Sequence, residues 1–343
     1  MSNANFKSTY LGIVLLIPLA AQSVIAEKPQ PASYDRTADK HDFTVFLENG
    51  GWCWFQDPRL INHDHKLFVG SVQGNAGGSA MVGIYDLRQG KRLGVVTLKE
   101  RFRHDDHNAP VFYARPDGSV LAVYALHGTN KTHYYRMSDR TNPLAWGEEQ
   151  SYEHDYANAG NVTYMNLYPM KAEGKLYNFF RGIDFNPSFI TSKDHGQTWG
   201  EPTHFLKSER EGRHRPFARY AGNGKDSVDV CFTDGHPDRF GNSIYYSAYR
   251  KGQFFRANGE RIKSLSEDGS LRPSEAERVF QGGGEWAPAG PVSADRSAWT
   301  SSIALDAAGH PHIAYSLHLS NDDHRYRIAS WDGTKWIDRE VAY

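Results

Sequence analysis

Short runs in which apolar and polar residues alternate, each closed by glycine, proline, asparagine or aspartate, make up most of this chain after residue 50. A period of two marks half-buried β-strands, and the closing residues are those that turn a chain sharply. Four stretches share a longer pattern: a polar start, an alternating strand, a glycine turn, a second strand with a polar end, then a loop and a third strand. They read HNAPVFYARPDGSVLAVYALHG, TYMNLYPMKAEGKLYNFFRG, RHRPFARYAGNGKDSVDVCFTDGH and AWTSSIALDAAGHPHIAYSLHLS. Their turn glycines, Gly118, Gly174, Gly224 and Gly309, stand 56, 50 and 85 residues apart, and the widest gap holds an extra polar segment, RANGERIKSLSEDGSLRPSEAER. An earlier copy, WCWFQDPRLINHDHKLFVGSVQG, fits with His63 and Asp64 at its turn. Repeats of about 50 residues built from short strands predict an all-β fold, a β-propeller with blades of four antiparallel strands around a central channel.

The repeat decides where the polar ends meet. The first two strands of each copy form a hairpin, so the start of the first and the end of the second share the edge opposite the glycine turn. For innermost strands that edge is the mouth of the channel. It gathers His107 and Asn108 with His127, Tyr164 with Arg181, Arg213, His214 and Arg215 with Asp234 and His236, and Trp299 with His318. A lone polar residue at a strand end is usually a solvated rim residue, but its recurrence at equivalent ends of four copies points to a shared site. Tyr168 and Tyr220 sit nearer the turns and are expected to pack. The segment SKDHGQTW, Ser192 to Trp199, resembles the Asp box of sialidase-like propellers, a structural turn between outer strands.

Composition narrows the partners. Aromatic residues at 13%, with 32 glycines and 16 prolines, favour many short strands and tight turns. A formal net charge of -1 offers no bulk basic field, so neither nucleic acid nor a membrane surface is expected as a partner. Cys53 and Cys231 are too few for a disulfide framework and are expected as buried free thiols. Near the start, Lys7, the apolar run LGIVLLIPLAA, and Val24 and Ala26 before Glu27 read as a secretory signal over residues 1–26. That run is shorter than the roughly 20 residues a membrane span needs. Residues 27–343 are then one propeller domain, a secreted monomer in the extracellular space or periplasm.

The chemistry of the mouth follows by comparison. His104 and His107 flank two aspartates, but on an extended segment they point to opposite faces and do not make a zinc pair. Asp105 and Asp106 either help bind calcium or hold the histidine by hydrogen bonds. No G-x-S-x-G elbow occurs, and Asp234 is the one carboxylate assigned to the mouth, short of the pair that glycoside hydrolysis uses. Histidine, tyrosine and arginine instead suit β-elimination on a 4-linked uronic acid. Arginine neutralises the carboxylate, a histidine or tyrosine takes the C5 proton, and a second acid protonates the departing O4. Trp299 is of the type that stacks on sugar faces, and spare arginine and histidine suit sulfate groups.

GWCWFQDPRLI, HDDHNAPVF, YALHG, FFRG before the Asp box, RHRPFARY, FTDGHP and NDDHRYRIASWDGTKW, in this order, resemble the BNR-4 repeat family, and within it the secreted ulvan lyases of polysaccharide lyase families 24 and 25. The resemblance implies a seven-bladed propeller that cleaves ulvan, a sulfated rhamnose and uronate polymer. Carried onto this chain, it implies His107, His127 and Tyr164 as acid and base candidates, with their roles unassigned, and Arg181 as the uronate partner. Arg215 is a second candidate for the carboxylate, and Asn108, His236, Trp299 and His318 are expected to bind substrate. The chemistry requires no cofactor; a structural calcium or zinc ion is left open, with no ligand assigned. Family members continue beyond WIDREVAY and the repeats count to five or six blades, so the last blade is expected to be incomplete. Two other functions are kept: a propeller glycoside hydrolase that releases a terminal sugar such as rhamnose, and a carbohydrate-binding propeller without catalysis.

Overall fold

The computed structural model describes residues 45–74, 77–209, 215–236, 240–284 and 296–343. The leader read at residues 1–26 lies outside the described residues, as do Arg213 and His214. Among the described residues no helix is long and apolar enough to cross a membrane.

Among the described residues, five antiparallel sheets follow one another along the chain. The second contains Val111–Ala114, Val120–Ala125, Thr132–Met137 and Gln150–Glu153; the third Thr163–Met170, Lys175–Arg181, Pro187–Ser192 and Thr203–His204. The fifth is Ser297–Leu305, Pro311–Ser320, Asp323–Trp331 and Trp336–Ala342. Each is a simple meander, first strand innermost, as the hairpin pattern predicts. Gly118 and Gly174 close two inner hairpins with φ of 88° and 62°, a left-handed conformation that glycine adopts without a Cβ clash. The outer turns use aspartate instead. Asp194 of the Asp box accepts the backbone N–H groups of Gln197 and Thr198, and Asp332 does the same for Thr334 and Lys335.

The seven blades that the resemblance implies are corrected to five among the described residues. The reason lies in the widest gap of the repeat. Its polar segment adds no blade but enlarges the fourth sheet: Gln253–Phe255 and Arg261–Ser264 extend that sheet outward, and Glu277–Phe280 pairs with Ile244–Arg250. The extra residues widen one blade.

Hydrophobic cores lie between successive sheets, where facing strands bury alternate residues. Phe68, Ile84 and Tyr124 fill the first interface, Leu121, Met165 and Phe180 the second, Phe179, Phe205 and Phe232 the third, and Tyr246, Ile313 and Tyr315 the fourth. Cys231 is buried in the fourth interface, and both cysteines are free thiols.

The first sheet departs from the pattern in a way that builds the site. Its inner edge is split: Gly50–Gly51 pairs with one end of Lys66–Gln73 and Leu60–His63 with the other. Residues 52–59 between them leave the sheet and reach strands of three others. The Arg59 guanidinium donates to the carbonyl oxygen of Met165 at 2.5 Å and to Asn166 Oδ1 at 3.2 Å. Asp57 accepts from the Tyr168 hydroxyl at 2.9 Å and faces Arg219 Nε at 3.6 Å, and Arg219 Nε donates to the Ser301 carbonyl oxygen at 2.8 Å. Burial pushes the Asp57 carboxyl up against the pull of both arginines, and lowers Arg59 to about 10. Tyr168, expected to pack, also carries one of these bonds.

Candidate active site

Asp105 organises the mouth of the second sheet. It caps a single 3-10 turn, Asp106–Asn108, accepting the His107 N–H on Oδ1 at 3.1 Å. This turn replaces the extended segment read from the sequence, and it separates the two histidines: His104 Nε2 meets the Gly74 carbonyl oxygen at 2.7 Å, while His107 turns inward. Asp105 Oδ1 lies 2.8 Å from His107 Nδ1, and its Oδ2 lies 3.1 Å from His127 Nδ1. One carboxylate thus holds two imidazoles, whose rings stack with centroids 4.1 Å apart and planes inclined by 16°. Asp106 Oδ1 is a second acid partner of His107 Nδ1, at 2.8 Å.

Charge follows from these bonds. Burial opposes the imidazolium form of His107, yet its hydrogen bonds to Asp105, Asp106 and Cys53 prevail and push it up to about 12. Burial raises the Asp105 carboxyl, but the hydrogen bonds from His107 and His127 hold it well below the usual carboxylate range. Both Nδ1 atoms face carboxylate oxygens and act as donors, so in a neutral His127 the lone pair is on Nε2.

The third sheet contributes Tyr164 and Arg181. A bulge between Thr163 and Asn166 interrupts the pairing of the inner strand, and Tyr164 within it has φ of 64°. Left-handed backbone at a bulky residue costs about 1–3 kcal/mol and persists where its surroundings impose it. Here Asn166 Nδ2 donates to the Tyr164 carbonyl oxygen at 2.7 Å. The Tyr164 ring lies 5.6 Å from that of His107 and 6.0 Å from that of His127, with Arg181 Cζ 5.1 Å from its centroid. Burial raises the Tyr164 hydroxyl pKa although Arg181 and His107 pull it down, so the phenol keeps its proton. Arg181 Nε is buried and has no hydrogen-bond partner among the described residues.

Tyr164, Arg181, Arg215, Phe217 and His236 line one cleft of about 340 Å³. Arg215 reaches back from its wall to donate to the Asp184 carbonyl oxygen. Trp299 stands beyond His236, ring centroids 6.0 Å apart, against Trp54 at 4.4 Å and Phe55 at 5.0 Å. His318 is not in the cleft but in a second cavity of about 530 Å³ on the fifth sheet, with Trp54, Trp299 and Tyr326. Asn108 has no exposed surface; its Oδ1 accepts the His127 N–H at 2.7 Å, so it positions that histidine and does not face a ligand. Asp234 is committed to the scaffold, accepting from the Ser243 N–H at 2.7 Å and the Tyr245 hydroxyl at 2.8 Å.

Residues 52–59 add what the hairpin pattern leaves out. Phe55 stacks on His107 at 5.4 Å, and Gln56 donates its amide N–H to the His107 carbonyl oxygen. Their signal is the aromatic cluster WCWF, which the strand reading absorbed as part of an inner strand.

A family model described as a BNR repeat-containing family member matches residues 66–343. No curated protein matches the sequence. Among solved structures, a polysaccharide lyase family 25 ulvan lyase bound to -[GlcA(1-4)Rha3S]- is similar in fold, with 18% identity and a TM-score of 0.66 over 85% of this chain and 73% of that one. An ulvan lyase structure of the same family gives 18% identity and a TM-score of 0.65 over 85% and 72%. An α-L-arabinanase of Cellvibrio cellulosa complexed with arabinohexaose gives 13% and 0.47 over 83% and 95%.

Proposed function

The chain belongs to the BNR repeat-containing family, and on that premise we propose that it is a polysaccharide lyase acting by β-elimination on an anionic polymer of 4-linked uronic acid, ulvan being the reference substrate. One observation carries the reading: a single carboxylate, Asp105, holds two stacked histidines beside a neutral tyrosine and an arginine whose Nε has no hydrogen-bond partner among the described residues.

The roles follow from protonation. Arg181 receives the uronate carboxylate, and its charge stabilises the anion that builds up as C5 loses its proton. His127 Nε2 takes that proton. His107, whose hydrogen bonds favour its protonated form, stacks on His127 at 4.1 Å. The electrons of the C5–H bond form the C4–C5 double bond, the C4–O4 bond breaks, and O4 takes the proton of the Tyr164 phenol. In a 4-linked glucuronate the C5 hydrogen and O4 lie on the same face, so base and acid have to be neighbours; the rings of His127 and Tyr164 are 6.0 Å apart. A hydrolase reading has less support, because Asp105 and Asp234 are both engaged within the protein.

The test is to incubate the full chain with ulvan and follow the ultraviolet absorbance of the conjugated double bond that elimination creates. A rise that disappears in His127→Ala is expected. Cleavage that yields reducing ends without that absorbance would replace the lyase by a hydrolase, and binding without cleavage by a lectin.

A further inference from the structure

We propose that Cys53, Asp106 and His107 form a site for a borderline-soft divalent cation, zinc being the type, at the edge of the cleft. A ligand atom of each lies within 4.8 Å of the others. Tetrahedral zinc, with bonds of about 2.0–2.3 Å, sets its ligand atoms roughly 3.3–3.8 Å apart, so shifts of no more than about 1 Å complete the set, outward for Asp106 Oδ1 where His107 Nδ1, now 2.8 Å from it, is the ligand. The Asp106 side chain, about half exposed, supplies that movement at little cost.

The donor types choose the metal. One thiolate, one imidazole and one carboxylate suit zinc and disfavour calcium or magnesium, which take oxygen ligands. Thiolate and carboxylate together cancel the charge of the ion, and three protein ligands leave a fourth position open. Binding displaces the Cys53 thiol proton and the Nδ1 proton of His107, or its Nε2 proton where that nitrogen is the ligand, so affinity rises with pH. A second group, Asp105, His107 and His127, also has its ligand atoms within 4.8 Å of one another, but it has no thiolate and shares His107. Zinc at Cys53 draws His107 away from the carboxylate it shares with His127. Metal binding stands apart from the proposed reaction; that the metal also stops turnover rests on the lyase reading.

Cys231 supplies an internal control. It is fully buried between the fourth and fifth sheets, and burial raises its thiol pKa far from the reactive range. The full chain, under reducing conditions, is titrated with zinc in a calorimeter and with cobalt(II) in a spectrophotometer, alongside Cys53→Ser, Asp106→Asn and Cys231→Ser. One equivalent of metal is expected, with a near-ultraviolet thiolate-to-cobalt band in the parent, in Asp106→Asn and in Cys231→Ser. Cys53→Ser should abolish the band and weaken zinc by more than the roughly 10-fold to 100-fold lost when a group that merely supports a ligand is removed. Asp106→Asn, at a surface position, should weaken zinc while leaving the fold intact. A folded parent that takes up no metal, a band that survives Cys53→Ser, or equal affinities in parent and Cys53→Ser would each overturn the site. None of these readouts uses turnover, so they stand whether or not ulvan is cleaved.

Discussion

His107 and His127 lie ring on ring, 4.1 Å between centroids, and share the two oxygens of Asp105. The carboxylate between their Nδ1 atoms accepts from both and so fixes the orientation of both rings. The proposed division of work is that the hydrogen bonds of His107 favour its protonated form while His127 is the base.

Asp105→Asn removes that division. With one amide oxygen left to accept, one of the two histidines loses its tautomer and its orientation. Turnover on ulvan should fall by roughly 100-fold to 10,000-fold, the range for a general base put out of place, with a much smaller change in KM. Unaltered kcat would show that the shared carboxylate does not set the base.

Tyr164→Phe keeps the ring between Arg181 and the histidines and removes only the acidic proton. The same order of loss is expected in kcat, with the thermal midpoint unchanged, because among the described residues no hydrogen bond from the phenol holds the fold. A midpoint that drops together with kcat would make the hydroxyl structural.

The histidine pair also predicts how stability varies with pH. His107 is raised from about 6.5 to about 12, so its contribution is full below about pH 6.5 and is lost as the pH climbs towards 12. Asp105 is lowered from 3.8, so its contribution is present above about pH 4 and is lost in acid. In denaturant titrations of the parent and His107→Gln, the gap between midpoints should be widest from about pH 4 to 6.5 and should narrow by pH 10. A gap that widens with rising pH would contradict the protonated His107.

Asp57→Asn tests the buried network by a different readout. Removing one charge leaves Arg59 and Arg219 in the interior without their acid, and breaking a buried pair in this way costs about 3–5 kcal/mol. Urea unfolding should show a loss of that size. A loss below about 1 kcal/mol would mean that the two carbonyl contacts of the arginines suffice.

The sequence made the third sheet easy to read and the first hard. Thr163 pairs with Arg181 across the inner hairpin, as the polar ends of TYMNLYPM and KLYNFFR require, and this brings Arg181 to the Tyr164 ring. Alternation is a local signal and survives in the fold. The segment WCWFQDPR was read as strand because it leads into LINH, but Asp57 and Arg59 find their partners at Met165, Tyr168 and Arg219, more than a hundred residues away. Nothing local announces such contacts. The 3-10 turn at Asp106–Asn108 was hidden for a related reason: Asp105 caps it by a bond within three residues, while its second oxygen answers to His127. The count of seven blades comes from the resemblance and not from the repeats, which give five or six; the extra residues of the widest gap pair as an extension of the fourth sheet.

The strand that never forms at residues 52–59 makes the reacting groups hostage to the whole ring. Phe55 and Gln56 steady His107 from a segment whose next charged residues, Asp57 and Arg59, hold the third and fourth sheets directly and the fifth through Arg219. The site owns no private scaffold that can melt ahead of the rest. Loss of turnover on heating should trace the loss of folded protein itself, so residual activity becomes a gauge of the folded fraction, and a substitution that tightens a distant interface between sheets prolongs working life at the cleft.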